Sequence, residues 1–149
     1  NLIKNNIKHY LVLDKDDVDV ELNLSNNGQS SSILKFGTHK KYYKGVKYVE
    51  KIKMKSSRID TIYKIENIPE NFANFLNLDI QGVELLALKG AGELLEHFDY
   101  IYTEVNNEEL YKDCCLIDDI DEYLLKFGFK RVKTYWTKHK WGDAFYIKF

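Results

Sequence analysis

The stretch NLDIQGVELLALKGAGELL, residues 77–95, constrains the fold more than any other part of the chain. An apolar run ends on Asp79, Gly82 follows, and helical spacing begins almost at once in VELLALK. This order predicts a buried strand, a tight turn and a short helix that ends at Gly90. Asp79 then has two interpretations: it caps the helix that begins at Val83, or it belongs to an active site at the end of a parallel strand.

The rest of the second half alternates strand and helix patterns. FLNLDI and YIYTEV are predicted strands, IDDIDEYLLKF is an amphipathic helix, and FKRVKTYW and GDAFYIKF form a closing antiparallel hairpin. This order predicts an α/β fold with a mainly parallel sheet and the hairpin, residues 129–136 and 143–149, at one edge. Asp79 and Glu104 would end neighbouring parallel strands, so we expect both to face one crevice; the alternative is a solvated Glu104.

The first half is less regular. Residues 1–7 have the spacing of a helix, HYLVLD is a candidate buried strand ending at Asp14, and VDVELNLS alternates as a half-buried strand. YVEKIKMKSSRID is predicted to hold another strand. Residues 36–48 mix lysines, aromatics and glycines, which predicts a surface excursion. His39, in this excursion, is the one histidine in a segment that could reach the crevice.

Composition narrows the function classes. With 149 residues, of which 44% are hydrophobic, the chain suits one globular domain over residues 1–149. A formal net charge of -1 gives no basic field that would recruit nucleic acid. No apolar stretch reaches the ~20 residues of a membrane helix, so no membrane partner is expected. Adjacent cysteines rarely bridge, so Cys114 and Cys115 favour a reducing, cytoplasmic setting.

Four segments together resemble the FkbM family of methyltransferases. They are LDIQGVELLALKGAGELL, YIYTEVNNEELY, LLKFGF and the ending WGDAFYIKF. The family runs Asp, a hydrophobic residue, Gln or Glu, Gly, any residue and Glu, then Leu-Lys-Gly-Ala, and then a strand that ends in Glu. The matching positions in this chain are Asp79, Gln81, Gly82, Glu84 and Glu104. The resemblance covers most of the chain.

The resemblance implies a Rossmann-like fold that transfers a methyl group from S-adenosylmethionine, usually to an oxygen of a sugar or polyketide-type acceptor. The catalytic candidates that it implies are Asp79 and Glu104, and the expected cofactor contacts are Asp14, Asp79, Gln81 and Gly82. Asp79 could orient the methionine end of the cofactor, remove the acceptor's hydroxyl proton, or hold a divalent metal that does so.

The chain departs from the family in one respect. Methyltransferases of this fold bind the cofactor with a glycine-rich turn after their first strand, where backbone N–H groups can approach the ligand. The sequence has no such strand, turn and helix, since GAGELL follows a helix. We therefore expect a domain without its first strands, whose apolar sheet edge supports homo-oligomers. The alternative function is a non-catalytic binding module of the same fold.

Overall fold

The computed structural model describes residues 8–149, and the helix expected at residues 1–7 lies outside this range. The elements are β1 (Leu11–Val12), β2 (Asp19–Ser25), α1 (His39–Tyr42), β3 (Tyr48–Ser57), α2 (Ile59–Ile65), β4 (Phe75–Leu78), α3 (Glu84–Ala91), a 3₁₀ helix (Gly92–His97), β5 (Tyr100–Asn106), α4 (Ile117–Leu125), β6 (Phe129–Trp136) and β7 (Trp141–Lys148). The α/β class is thus confirmed. Within residues 8–149, no helix has the length and apolarity to cross a membrane.

The larger of two sheets has the strand order β4-β5-β7-β6. β4 and β5 are parallel, because α3 and the 3₁₀ helix carry the chain back between them. Their register sets Leu78 opposite Thr103, so the next residues, Asp79 and Glu104, lie side by side. β7 pairs antiparallel with both β5 and β6, and β6 forms the outer edge. The parallel pair and the hairpin at the edge are therefore confirmed.

The expectation of a mainly parallel sheet is wrong for the described residues, and a Rossmann-like arrangement is not confirmed. β2 and β3 pair antiparallel in a separate sheet of order β1-β3-β2, in which β1 is a two-residue parallel partner. The side-chain alternation explains this pairing. β3 exposes Lys51, Lys53 and Lys55, and a strand with one solvated face suits an antiparallel sheet, whereas parallel strands are usually covered on both faces.

The main core lies between one face of the larger sheet and the helices. Ile101 and Val105 of β5 and Tyr146 of β7 pack in a cluster with residues of α3 and α4. Leu88 and Leu124, from these two helices, have no solvent exposure. Because α3 follows directly after the Asp79 loop, this burial holds the helix, and with it the loop, against the sheet.

α3 does not end at Gly90, as its sequence suggested, but continues to Ala91 and into the 3₁₀ helix. Gly90 is buried, and a Cβ added there would lie 2.1 Å from the carbonyl oxygen of Leu13. The residue is therefore glycine because the helix must approach the backbone that follows β1 closely. This contact joins the helical layer to the smaller sheet.

Gly90→Ala should destabilise the protein, although alanine is the better helix former by about 1 kcal/mol in an open helix. The added methyl group would meet backbone, which cannot rotate aside, and such overpacking costs about 1–3 kcal/mol. Urea unfolding of the variant measures the loss. Lys89→Ala, at the exposed neighbouring position, is the control and should stay near the parent value. A Gly90→Ala variant as stable as this control would contradict the close contact.

Candidate active site

A buried glutamate fastens the loop between β4 and α3. The Glu84 carboxylate, in the first turn of α3, accepts hydrogen bonds from the backbone N–H groups of Ile80 at 3.0 Å and Gly82 at 3.1 Å. Glu84 itself has no solvent exposure. The N-cap position of α3 is Val83, so Asp79 does not cap this helix. The loop is held from within, and the exposed Asp79 carboxylate is left for other contacts.

The Gln81 side chain joins the two predicted catalytic acids. Its Nε2 donates hydrogen bonds to Asp79 Oδ1 at 2.6 Å and to Glu104 Oε2 at 3.3 Å. Its Oε1 accepts a hydrogen bond from the Tyr111 hydroxyl at 2.6 Å. Because the oxygen is taken up in this way, the NH₂ group is the end of the amide that faces the two acids. The φ angle of Gln81 is 55°, so the backbone turns through the left-handed region here. The structure thus brings Asp79 and Glu104 together, and Glu104 is not solvated.

Two cavities meet at this loop. The larger has a volume of about 630 Å³ and extends from the loop towards β1 and the smaller sheet. The other, of about 430 Å³, lies on the side of Glu104. Gln29, Asp79 and Gln81 line both cavities. The arrangement can hold two ligands side by side, with the Asp79 and Gln81 side chains where they meet.

Aromatic side chains from distant parts of the chain line the smaller cavity. The His39 ring stacks on Phe36 with centroids 4.5 Å apart, and Trp141 Nε1 donates a hydrogen bond to the Tyr43 hydroxyl at 2.9 Å. Phe36 and His39 are buried, so the predicted surface excursion in fact supplies part of the wall. Sequence reasoning missed Tyr111 and Trp141, because no spacing in the sequence relates them to the Asp79 motif.

His39 reaches the smaller cavity, as its segment suggested. Its Nε2 lies 3.2 Å from the Ser30 hydroxyl, which accepts a hydrogen bond from Asn27 Nδ2 at 3.0 Å. Burial lowers the pKa of the His39 imidazole, so the ring is neutral at pH 7. His39 therefore contributes no positive charge to the cavity at that pH.

Glu104 is buried among other acids. Burial, assisted by the negative charges of Glu84, Asp79 and Asp143, raises the pKa of Glu104 to about 9. Burial also raises the pKa of Glu84, to about 6. Asp143 lies opposite Glu104 in the β5–β7 register and was missed by sequence reasoning, because only the strand pairing reveals it. At neutral pH, Glu104 therefore carries a proton while Glu84 is largely ionised.

Asp14, a predicted cofactor contact, lines neither cavity. Its carbonyl oxygen accepts a hydrogen bond from Arg58 Nη1 at 2.8 Å. The preceding residue, Leu13, packs on Gly90 in the last turn of α3, whereas the Asp79 loop precedes the first turn. Leu11 and Val12 of the same segment line the larger cavity, whereas the chain at Leu13 has reached the last turn of α3, so Asp14 lies past the cavity lining.

Gly82, another predicted cofactor contact, lines neither cavity. It packs instead against side chains of the protein interior. A Cβ added there would lie 3.1 Å from Tyr111 Cδ2 and 3.2 Å from Cys114 Cβ. Its φ angle of 102° is one that side chains rarely allow. Gly82 therefore serves the sharp turn and the packing of Tyr111, which in turn orients Gln81.

The larger cavity fits the cofactor that the family resemblance implies. Its volume lies within the ~300–1,000 Å³ common for small-molecule sites. Asp79 offers a carboxylate to a positively charged group, Gln29 and Ser31 offer hydrogen bonds, and Leu11 and Ile33 offer apolar surface. A divalent metal has no comparable site, because residues 8–149 contain no group of three or more His, Cys, Asp or Glu side chains that could hold one.

Comparison with protein families gives a match that covers most of the chain. The model of a family described as Methyltransferase FkbM domain matches residues 3–131. This range contains Asp79, Gln81, Glu104 and Tyr111 but stops before Asp143 and Trp141. No curated protein and no solved structure matches the chain.

The free energy of unfolding should fall as the pH rises from about 7 to about 8.5, because folded Glu104 retains a proton that the unfolded chain has lost. The maximum slope is about 1.4 kcal/mol per pH unit. Glu84 contributes mainly at lower pH. Urea unfolding across this range should show the fall for the parent and a much flatter response for Glu104→Gln. Equal slopes for the two proteins would show that Glu104 is already ionised when folded.

Proposed function

Because the chain belongs to the FkbM methyltransferase family, we propose that it transfers a methyl group from S-adenosylmethionine to a hydroxyl oxygen of a small acceptor. The acceptor class we propose is a sugar or a related polyhydroxylated molecule. The observation that carries the proposal is the pair of adjoining cavities, which share Asp79 and Gln81. A donor in one cavity and an acceptor in the other would meet at this loop, and such alignment is most of what methyl transfer requires.

In this proposal the larger cavity holds the cofactor. The Asp79 carboxylate stands against apolar surface from Leu11, Ile33 and Met54, which suits a ligand that combines positive charge with apolar groups. When bound, S-adenosylmethionine supplies an activated methyl group on a sulfonium. The protein residues then have to orient this group and exclude water. Asp79 and Gln81 are the proposed contacts on this side.

The smaller cavity holds the acceptor. Ser30, Glu104 and the Tyr43 hydroxyl offer hydrogen-bonding groups, and the rings of Tyr111 and Trp141 offer flat apolar surface. A sugar presents the matching combination, because hydroxyl groups surround a ring that also has apolar C–H surface. The mixed lining therefore favours a glycan or a similar acceptor.

Asp79 and Glu104 are the proposed catalytic acids. A hydroxyl oxygen is a weak nucleophile until its proton is removed, so a carboxylate near the acceptor accelerates the transfer. Gln81 fixes both acids through one amide, and Tyr111 fixes that amide. The relative positions of the two carboxyl groups are therefore set before any ligand binds.

Asp79→Asn should lower methyl transfer by ~10²-fold or more, the contribution usual for a general base or its electrostatic equivalent. The fold should persist, because Asp79 is exposed and asparagine has nearly the same shape. Single-turnover transfer from labelled S-adenosylmethionine, beside thermal melts, measures both properties. Asp99→Asn, an exposed aspartate just before β5, is the matched control and should transfer at the parent rate. Unchanged turnover in Asp79→Asn would remove its catalytic role, and absence of turnover in the parent would favour the binding-module alternative.

We also propose that copies of the chain associate through β4. Among the strands within residues 8–149, β4 is hydrogen-bonded to β5 alone, so its other edge presents unpaired backbone groups. Phe75 at the start of β4 is 50% exposed. Sedimentation velocity at several concentrations should show association that Phe75→Lys reduces and that Val49→Lys, on the exposed surface of β3, does not. A parent protein that stays monomeric at all concentrations would contradict this proposal.

We also propose that the protein works in a reducing, cytoplasmic compartment. Cys114 and Cys115 are both free thiols. Burial raises the pKa of both thiols, that of Cys115 to about 12, so neither is poised to react at neutral pH. Two unreactive, unpaired thiols are compatible with a compartment in which disulfides are rare.

A further inference from the structure

Within residues 8–149, the surroundings of Glu104 contain negative charge without a positive side chain to balance it. Asp79 comes from the loop after β4, Glu84 from the first turn of α3 and Asp143 from β7, and all three raise the free energy of an ionised Glu104. Of the residues described by the structure, no lysine or arginine lines the cavity beside Glu104. His39, from α1, is neutral there because burial lowers the pKa of its ring.

This geometry keeps a proton on Glu104. The residue is 7% exposed, so little water can reach its carboxyl group to stabilise a charge, and the hydrogen bond that it accepts from Gln81 is long at 3.3 Å. A buried carboxyl group without an opposite charge beside it keeps its proton to a higher pH than it would in water. A protonated carboxyl cannot accept a proton from an acceptor hydroxyl. Glu104 therefore needs a nearby positive charge before it can act as a base.

We propose that Glu104 releases its proton when the positively charged cofactor occupies the larger cavity, so that cofactor binding itself creates the catalytic base. This inference rests on the proposed function, since it takes S-adenosylmethionine as the ligand. The connection is the common wall: Asp79 and Gln81 line the larger cavity, and Gln81 also contacts Glu104. A positive charge on this wall lowers the free energy of the Glu104 carboxylate, because a buried charge responds strongly to a close opposite charge.

The proton balance of one reaction cycle closes with Glu104 alone. Glu104 first gives its proton to solvent as the cofactor binds. It then takes the proton of the acceptor hydroxyl while the new O–C bond forms and the S–C bond breaks, with that electron pair remaining on sulfur. The sulfur product is a neutral thioether. The positive charge that stabilised the Glu104 carboxylate is therefore lost in the same step. Glu104 ends protonated, as it began, and one proton has entered solvent in each cycle.

Calorimetric titration at about pH 8 tests the inference, because that pH lies above the pKa of Glu84 and below that of Glu104. Binding is measured in two buffers that differ in ionisation enthalpy, with S-adenosylmethionine and with its uncharged-sulfur product, S-adenosylhomocysteine. We expect the sulfonium form to release about 1 proton more per site than the thioether form. Glu104→Gln, which mimics the protonated side chain, should bind both and lose this difference.

Glu93→Gln, at an exposed position that lines neither cavity, is the matched control and should retain the difference. Infrared difference spectra give a second measurement: the carboxylic acid band of Glu104 should vanish when S-adenosylmethionine binds and persist when S-adenosylhomocysteine binds. Equal proton release by the two ligands, or a difference that survives in Glu104→Gln, would overturn the inference and leave the proposed function standing. Absence of binding by either ligand would overturn the proposed function, and the inference with it.

Discussion

The hydrogen bonds from the β4–α3 loop to the Glu84 carboxylate support every other feature of the candidate site. Without them, the buried N–H of Gly82 would lack an acceptor, a loss worth about 1–3 kcal/mol. The same bonds, with the N-terminal end of α3, offset the cost of burying the glutamate. Because α3 is packed into the core through Leu88, the loop is fixed relative to the sheet. Gln81 can then present its amide to the acids on either side.

The Gln81 amide lies between the carboxyl groups of Asp79 and Glu104 and allows their surroundings to differ. With a glutamate here, which the family also uses, a third carboxyl group would face Asp79 and Glu104, and the repulsion would be larger. The amide instead donates to both acids while Tyr111 occupies its oxygen. Asp79 remains exposed, whereas Glu104 is buried, and this burial raises the pKa of Glu104. This asymmetry suits a site that must first attract a cation and then accept a proton.

Local patterns in the sequence predicted the strands on both sides of the Asp79 loop, their parallel pairing and the closing hairpin. They did not predict that the strands form two separate sheets with mostly antiparallel pairs. The alternation of β2 was recognised and a strand was expected at β3, but their antiparallel pairing with a solvated face was not predicted. Asp14 was expected among the cofactor contacts, but Leu11 and Val12 of β1 line the larger cavity and Asp14 lines neither cavity. Gly90 was interpreted as a helix stop, although its role depends on a backbone more than seventy positions earlier in the chain.

The sequence by itself determined the strand, turn and helix around Asp79, Gly82 and Glu84, because those features depend on neighbours within a few positions. It also determined the family, which four segments of the sequence resembled and whose model matches residues 3–131. Only the tertiary structure decided that Asp143 lies opposite Glu104 and that His39, Tyr111 and Trp141 enclose one cavity. It also decided which acid keeps a proton, because desolvation and charge repulsion depend on distance in space, and no spacing along the chain encodes that distance.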